Sequence, residues 1–187
     1  ILRLLFMGPP GVGKGTQAKR IEKHYDIVHL STGDILRSEM KSKSLVGKQA
    51  REYIESGHLV PDSVLLKMMA HRLEQEDCGN GFLLDGFPRT LAQANGLDKI
   101  LLDLKQTLDF AISLTANEDE LVNRLVKRGQ DSGRSDDTKE IIQHRQKIYW
   151  EQTAPLIDFY KNKNLLKEVD GIGEISEITN RILGVLR

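Results

Sequence analysis

The sequence predicts an α/β fold in which an open, parallel, five-stranded sheet carries helices on both faces. Two observations support this prediction. Short apolar runs alternate with amphipathic segments along the chain, the pattern of βαβ units around a parallel sheet. The 187 residues contain no internal repeat and no low-complexity tract, which suits one domain over 1–187. We expect ligands at the carboxyl ends of the strands, where such sheets bind them.

The first part of the chain predicts two strands and four helical segments. Strands are assigned to short apolar runs, and helices to segments whose apolar residues recur at intervals of three and four. The expected elements are a strand at 2–7, a helix at 14–24, a strand at 27–30, two helical segments within 34–57 separated at 42–44, and a helix at 62–75. The apolar stripe of that last helix consists of Val64, Leu65, Met68, Met69 and Leu73.

The second part of the chain predicts three strands and four helices. Thr90 and Asn117 are residue types that cap helix N-termini, and Pro155 is expected to interrupt or bend the helix that contains it. The expected elements are a strand at 82–84 that ends at Asp85, a helix at 90–104, a strand at 110–114, a helix from Asn117 to 127, a polar loop at 129–137, a helix at 138–160, a strand at 165–169 and a helix at 174–186.

The composition excludes several classes of function. Lys plus Arg and Asp plus Glu number 27 each, so no overall field attracts nucleic acid or a membrane surface. The single cysteine, Cys78, cannot form an internal disulfide or a cysteine zinc cluster. No apolar stretch approaches the roughly 20 residues of a membrane span, and no export signal is recognisable. We expect a cytoplasmic protein; because the chain begins at Ile1, an organelle matrix or stroma reached after loss of a transit peptide stays open.

The segment Gly8-Pro-Pro-Gly-Val-Gly-Lys-Gly-Thr16 lies between the first strand and the first helix. It fits the phosphate-loop (P-loop) pattern G-x-x-x-x-G-K, in which backbone N–H groups and a helix N-terminus surround phosphate oxygens. Lys14 would place a full positive charge near the β and γ phosphates. The hydroxyl that usually follows the lysine comes one residue later, as Thr16. The pattern predicts a nucleotide phosphate site and does not identify the reaction.

The segment Asp85-Gly-Phe-Pro-Arg89 follows the third strand. A carboxylate at a strand end beside a phosphate loop is placed to orient hydrated Mg²⁺, which makes Asp85 the candidate metal residue. Arg89 and Arg37, from separate loops, would form a fork for a second phosphate. The alternatives are a cap or turn role for Asp85 and surface positions for the arginines.

A further series of arginines consists of Arg124, Arg128, Arg134 and Arg145. Like charges four residues apart on a helix repel, so this crowding in a chain of balanced charge indicates a bound anion. Phosphoryl transfer needs alignment, exclusion of water and positive charge on the moving group, and these residues can supply them. The five histidines show no metal spacing, and we assign them no functional role.

The segments 8–17, 30–37, 57–62, 82–90 and 132–137 together resemble the adenylate kinases, which have a P-loop NTPase fold. They occur in the family's order over nearly the whole chain. The Asp-Gly-Phe-Pro-Arg block is specific to the family, and Lys-Gly-Thr is its form of the phosphate loop. The resemblance implies the reversible reaction of ATP with AMP to give two ADP, with Mg²⁺ and without zinc, in a monomer that binds small-molecule nucleotides and no nucleic acid or membrane.

The resemblance also implies roles for individual residues. Those expected to bind ATP are Gly11, Val12, Gly13, Lys14, Gly15, Thr16, Arg128 and, through its carbonyl group, Gly173. Those expected to bind AMP are Thr32, Arg37, the backbone of His58, Leu59 and Val60, then Gly86, Phe87, Pro88, Arg89 and Gln93. Those expected to act in catalysis are Lys14, Arg89, Arg124, Arg128, Arg134 and Arg145, of which Arg134 and Arg145 would bridge the substrates.

Two mobile parts are implied by the same resemblance, an AMP-binding flap at 31–60 and a lid at 128–138. The polar loop at 129–137 is much shorter than the lid of many bacterial members, so the chain resembles the short form of the family. The sequence departs from the family at two positions: His58 stands where other polar residues are usual, and Gln146 stands where an apolar residue is usual.

The identity of the acceptor depends on a few side chains. The related kinases of UMP and CMP tend to have alanine and asparagine where this chain has Thr32 and Thr90. Gln93 carries an amide of the kind that pairs with the adenine edge. These residues favour AMP, with a UMP/CMP kinase as the first alternative and a non-catalytic ATP-binding P-loop protein as the second.

Overall fold

The computed structural model describes residues 1–132 and 138–187. The strands are β1 (Leu2–Met7), β2 (Val28–Ser31), β3 (Gly81–Asp85), β4 (Phe110–Thr115) and β5 (Leu166–Asp170). They form one sheet in the order β2-β3-β1-β4-β5, and all neighbouring strands are parallel. The predicted α/β class and five-stranded parallel sheet are therefore confirmed, and each predicted strand end lies within one residue of the observed one.

Helices connect the strands along the described chain. They are α1 (Lys14–Tyr25), α2 (Thr32–Lys41), α3 (Leu45–Glu55), α4 (Asp62–Leu73), α5 (Leu91–Asp103), α6 (Glu118–Ser132), α7 (Lys139–Asn162) and α8 (Ile175–Val185). A 3₁₀ turn at Glu76–Asn80, which the sequence analysis did not predict, leads into β3. None of these helices combines the length and apolar character needed to cross a bilayer.

The helices cover both faces of the sheet because alternate residues of a strand point to opposite sides. In β1, Leu4 and Phe6 pack in a cluster with residues of α1, α6 and α8. Leu5 and Met7 pack in the opposite cluster, with residues of α2, α3, α4, α5 and α7. The sheet is thus buried on both sides, and its carboxyl edge is left as the place where polar residues can collect.

Strand register brings the predicted clusters together at that edge. Asp85, at the end of β3, is in register with Ser31 on one side and with Phe6 on the other. The segments that follow β1, β2 and β3 therefore start close to one another. The carboxyl ends of the strands are where ligands are expected in such a sheet.

Side-chain caps begin several of the helices, as their sequences predict. The hydroxyl oxygen of Thr90 accepts a hydrogen bond from the N–H of Gln93 at the start of α5, and the amide oxygen of Asn117 accepts one from Glu120 in α6. Ser31, Ser44 and Thr138 cap α2, α3 and α7 in the same way.

Two predictions about the segment between β4 and β5 are corrected by the structure. The polar loop expected from 129 is helical as far as Ser132, because α6 continues beyond its last apolar turn; the rest of that loop lies outside the described residues. Of the interruption or bend expected near Pro155, the interruption does not occur, since α7 runs from Lys139 to Asn162 with the proline inside it. Pro155 is exposed, so the carbonyl group that loses its helical partner can be hydrated.

Candidate active site

The phosphate loop connects β1 to α1 over residues 8–13. Gly11 and Gly13 have φ angles of 87° and 85°, in the left-handed region that glycine adopts without strain. A cavity of about 640 Å³ opens over the loop. On this side it is lined by Gly8, Pro9, Pro10, Gly11, Gly13, Lys14 and Gly15.

The N-terminus of α1 is open to an anion. Its N-cap, Gly13, offers no side-chain hydrogen bond, and the first turn contains no acidic residue. The first N–H groups of a helix lack internal partners and carry part of the positive end of the helix dipole. In α2, α3, α5 and α7 a serine or threonine side chain accepts from one of these groups, whereas α1, α4 and α8 have no such cap. Of these three uncapped helices, α1 is the one whose first residues line the cavity.

Lys14, Asp85 and His29 form a chain of contacts below the phosphate loop. Nζ of Lys14 lies 2.8 Å from Oδ1 of Asp85, and Nε2 of His29 lies 3.0 Å from Oδ2. Burial alone would raise the pKa of the Asp85 carboxyl, but the hydrogen bonds from His29 and Lys14 outweigh it and hold the pKa below its usual value. Asp85 is therefore ionised at neutral pH. His29, to which the sequence analysis gave no role, belongs to this group.

The turn after β3 forms another wall of the cavity. Gly86, Pro88 and Arg89 line it. Nε of Arg89 donates a hydrogen bond of 2.9 Å to the carbonyl oxygen of Gly86, and the hydroxyl of Thr32 donates to the same oxygen at 3.3 Å. Thr32 and Arg89 are thus brought together, as expected for two residues of one binding site. Phe87, which also belongs to the predicted AMP-binding set, is buried in the core.

Gln93 is buried, and both ends of its amide are already used. Its Oε1 accepts a hydrogen bond of 2.7 Å from the N–H of Arg89, and its Nε2 donates one of 2.8 Å to Oδ1 of Asp62. The predicted pairing of this amide with an adenine edge would require an exchange of these bonds. In the present structure Gln93 holds the backbone of the Arg89 turn.

Arg37 does not line the cavity. Its guanidinium group pairs with Asp34 one helical turn earlier, and both side chains are about two-thirds exposed. The fork expected from Arg37 and Arg89 is therefore not assembled in this structure, because Arg37 lies on the α2 side of the site and keeps a local partner.

Arg128 and Arg145 both line the cavity. With Lys14 and Arg89 they make four cationic side chains around it, and no carboxylate among the described residues belongs to its lining. This distribution of charge favours a polyanion such as a chain of phosphates.

The other two members of the arginine series are Arg124 and Arg134. Nη1 of Arg124 lies 3.4 Å from the carbonyl oxygen of Gly11, so Arg124 reaches the rim of the phosphate loop. Arg134 lies outside the described residues.

The remaining predicted residues lie away from the cavity lining. Val12 is buried under the loop, and Thr16 is exposed on α1. Leu59 is 93% exposed in the segment between α3 and α4, which also holds His58 and Val60. Gly173, with a φ of 133°, lies in the loop before α8.

Helix α7 contributes cavity residues that the sequence analysis missed. They are Ile148, Tyr149, Gln152, Thr153 and Leu156. Together with Arg145 they recur at intervals of three and four, so a helical stripe that starts at the predicted arginine would have found them. Burial raises the pKa of the Tyr149 phenol to about 12, which keeps it neutral.

Gln146, noted above as a departure from the family, is fully buried. Its Nε2 donates a hydrogen bond of 2.7 Å to the carbonyl oxygen of Pro10 in the phosphate loop.

Among the described residues no group of three or more His, Cys, Asp or Glu is arranged to hold a metal by itself.

Comparisons with known proteins agree with this geometry. The family model for adenylate kinase matches residues 6–165. An adenylate kinase of Leptospira biflexa is 49% identical over 181 residues, covering 97% of each chain. Adenylate kinases of a Nocardioides species and of Stenotrophomonas maltophilia are 48% and 45% identical, covering 99% and 100% of this chain and 97% and 100% of their own. With a phosphate loop, an uncapped helix and a cationic cavity at the carboxyl edge of a parallel sheet, the chain belongs to the adenylate kinase family.

Proposed function

We propose that this protein transfers the terminal phosphoryl group of ATP to AMP and catalyses the reverse reaction between two ADP molecules. One observation carries the proposal: a single cavity joins the phosphate loop to the Gly86–Arg89 turn and has a cation from each side. Two nucleotides placed end to end would bring their phosphates together among Lys14, Arg89, Arg128 and Arg145.

The donor half of the site is the phosphate loop. The N–H groups of Gly11 to Thr16 would hold the β and γ phosphates of ATP, with Lys14 and Arg128 adding charge. The adenine would lie toward Gly173, whose carbonyl oxygen can accept from its amino group. Arg181 supports that loop, since its Nη1 donates to the carbonyl oxygens of Asp170 and Ile172 at 2.9 and 2.5 Å.

The acceptor half is the turn that contains Arg89, together with residues of α2 and of the segment before α4. AMP phosphate would replace the Gly86 carbonyl as the partner of Arg89, and Arg37 would exchange Asp34 for the same phosphate. Thr32, Gln93 and the backbone of His58 to Val60 would enclose the nucleoside.

We propose that binding closes the flap at 31–60 and the lid at 128–138. Exclusion of water protects the phosphoryl group during transfer, and closure would also carry Arg37 to the cavity. Arg134, on the lid, would join Arg145 at the phosphates that the two substrates share.

Mg²⁺ fits the donor set beside the phosphate loop. Mg²⁺ in nucleotide sites keeps several waters and uses few protein carboxylates, so one ionised Asp85 suffices to orient a hydrated ion through water. When bound, the ion would neutralise negative charge on the ATP phosphates. The protein's own contribution is to align the two nucleotides and to place fixed positive charge around the transferred group.

Base recognition rests more on Thr32 than on Thr90. The Thr90 side chain caps α5, a role that asparagine also performs well, so the difference from UMP/CMP kinases at this position need not concern the base. The protein is proposed to act as a cytoplasmic monomer on free nucleotides.

The test is a panel of AMP, UMP, CMP and GMP, each incubated with ATP and Mg²⁺, with ADP formation as the readout. We expect turnover with AMP to exceed turnover with each other monophosphate by at least about tenfold, since a site built to pair with one base leaves polar groups unpaired with another. Preference for UMP or CMP would favour the related kinases, and ADP formation that is independent of any monophosphate would contradict the proposal.

A further inference from the structure

The side chain of Gln146 connects α7 to the phosphate loop. It is 0% exposed, and its Nε2 lies 2.7 Å from the carbonyl oxygen of Pro10. Because a carbonyl oxygen can only accept, the nitrogen end of the amide must face the loop. The two residues are 136 positions apart, so the contact depends on the folded chain.

This bond determines the orientation of one peptide group of the loop. In a planar trans peptide the C=O and N–H point in opposite directions, and the Pro10–Gly11 bond is not among the cis bonds. When Gln146 holds the Pro10 oxygen, the N–H of Gly11 is fixed to point away from α7. Gly11 is the first of the backbone donors assigned to the phosphates of ATP.

Two other contacts of this rim among the described residues are weaker. Arg124 reaches the carbonyl oxygen of Gly11 at 3.4 Å, with an exposed side chain. The N–H of Val12 bonds to Pro9 within the loop itself. The bond from Gln146 is shorter than either and buried, and it comes from the residue next to Arg145, which lines the cavity.

The other end of the amide has no partner among the described residues. Oε1 of Gln146 is buried and accepts no hydrogen bond there. A buried polar atom without a partner destabilises a fold, and an apolar side chain of the same size would avoid this cost. One end of the amide therefore carries a cost, while the other end supplies the contact with the phosphate loop.

We propose that Gln146 is a positioning residue for ATP: it holds the Pro10 carbonyl, orients the Gly11 N–H toward the donor phosphates and ties the loop to the helix that carries Arg145. This inference rests on the proposed function. A residue with only a structural role would affect ATP, AMP and stability together, whereas this one acts on the ATP half of the site.

The test uses Gln146→Met, which keeps the length of the side chain and removes both the donor and the unpaired acceptor. Calorimetric titration with ATP and Mg²⁺ should show a Kd raised about threefold to tenfold, the effect expected when one hydrogen-bond donor loses its fixed position. The Kd for AMP should change by less than about twofold, and the urea midpoint should stay the same or rise. An unchanged affinity for ATP, or an equal loss of affinity for ATP and AMP, would overturn the proposal.

A second variant, Gln146→Glu, provides a rescue. Burial favours the neutral form of a carboxyl group, and a protonated carboxyl can donate to the Pro10 oxygen as the amide does. Relative to the native protein at each pH, ATP affinity of this variant should recover as the pH is lowered from about 8 to about 5.5. Arg124, Arg128 and Arg145 border the loop, and their positive charges oppose protonation of the introduced carboxyl group. The pH at which affinity recovers is therefore read from the titration. If the ATP Kd of the variant equals that of the native protein at every pH in this range, the role of the donor is contradicted, because an ionised carboxylate cannot donate to Pro10.

The control is Leu101→Val, at a core side chain of α5 that is 4% exposed and does not line the cavity. It should lower the urea midpoint and leave the ratio of ATP to AMP affinities unchanged. Because the titrations need no turnover, a native chain that binds ATP but forms no ADP from AMP would refute the proposed reaction and still allow Gln146 to be tested. Failure of the native chain to bind ATP would overturn both proposals.

Discussion

The ammonium group of Lys14 lies 2.8 Å from the carboxylate of Asp85, so this pair ties the phosphate loop to the end of β3. The same carboxylate contacts His29 on the edge strand β2. In the proposed reaction, an entering phosphate would compete with Asp85 for Lys14, and Asp85 would then be available to waters around Mg²⁺. The pair thus exchanges one set of charge contacts for another when ATP binds.

Replacement of Lys14 by methionine should abolish most of the activity and leave the fold intact. Loss of a fixed charge at the transferred phosphoryl group is expected to lower kcat by about 10²- to 10³-fold. Steady-state kinetics with ATP and AMP, with circular dichroism on the same sample, give the measurement. Lys19→Met, on the exposed side of α1, is the matched control and should remain active. Near-native turnover of the Lys14 variant would argue strongly against the assignment.

Replacement of Arg89 by alanine should weaken the binding of AMP much more than the binding of ATP. Loss of a charged hydrogen-bond partner of a phosphate is expected to raise the KM for AMP by about tenfold to a hundredfold. Initial rates with each nucleotide varied in turn check this, and Lys99→Ala on the exposed face of α5 serves as control. Equal losses for both nucleotides would mean that Arg89 does not serve the acceptor.

Replacement of Asp85 by asparagine should alter how stability depends on pH. The pKa of Asp85 is lower in the folded than in the unfolded chain, so its ionised form stabilises the fold above the unfolded value of about 3.8, and this contribution is lost as the pH falls. We expect the variant to be less stable than the native protein by about 1–2 kcal/mol at pH 7 and by less near pH 3.5. Urea titrations at several pH values measure the difference; a difference that does not change with pH would contradict the expectation.

Cys78 should resist alkylation in the native protein. Its thiol is buried, and burial raises its pKa to about 11, so very little thiolate is present at pH 8. Modification by iodoacetamide at that pH should be slow and should proceed at the rate of unfolding, whereas the chain in urea should react promptly. Mass spectrometry over time distinguishes the two cases, and rapid labelling of the folded protein would show that the thiol is accessible.

Replacement of Arg181 by alanine should loosen the loop at 171–174. Its guanidinium group holds the carbonyl oxygens of Asp170 and Ile172, which flank the approach to Gly173. If the Gly173 carbonyl selects adenine, the variant should show a higher KM for ATP and a smaller preference for ATP over GTP. Kinetics with both donors measure this. An unchanged preference for ATP over GTP would mean that the Gly173 carbonyl does not select the base.

The parts of the site that could be predicted are those encoded by local patterns. The glycines and Lys14 of the phosphate loop lie between a buried strand and a helix, and Asp85 to Arg89 follow a strand directly. Strand register then brings these segments together without further information. Thr90 and Asn117 were correctly predicted as caps because capping involves only neighbours three residues away.

The parts that could not be predicted depend on contacts between distant segments. His29 pairs with a carboxylate 56 positions away, and Gln146 with a carbonyl 136 positions away. The engagement of both ends of the Gln93 amide likewise depends on Asp62, on another helix. The continuation of α6 to Ser132 was missed because its last turn is polar and lacks the apolar stripe that identifies a helix.

The contact between the first and the last helix affects how this protein can be made. Gln17 and Arg20 of α1 bond to Ile175 and Thr179 of α8, at distances of 3.1 and 2.7 Å. The segment that contains the phosphate loop is synthesised before α8, so this side of α1 stays uncovered until α8 has been made. The growing chain must therefore keep that side of α1 from premature association in the meantime.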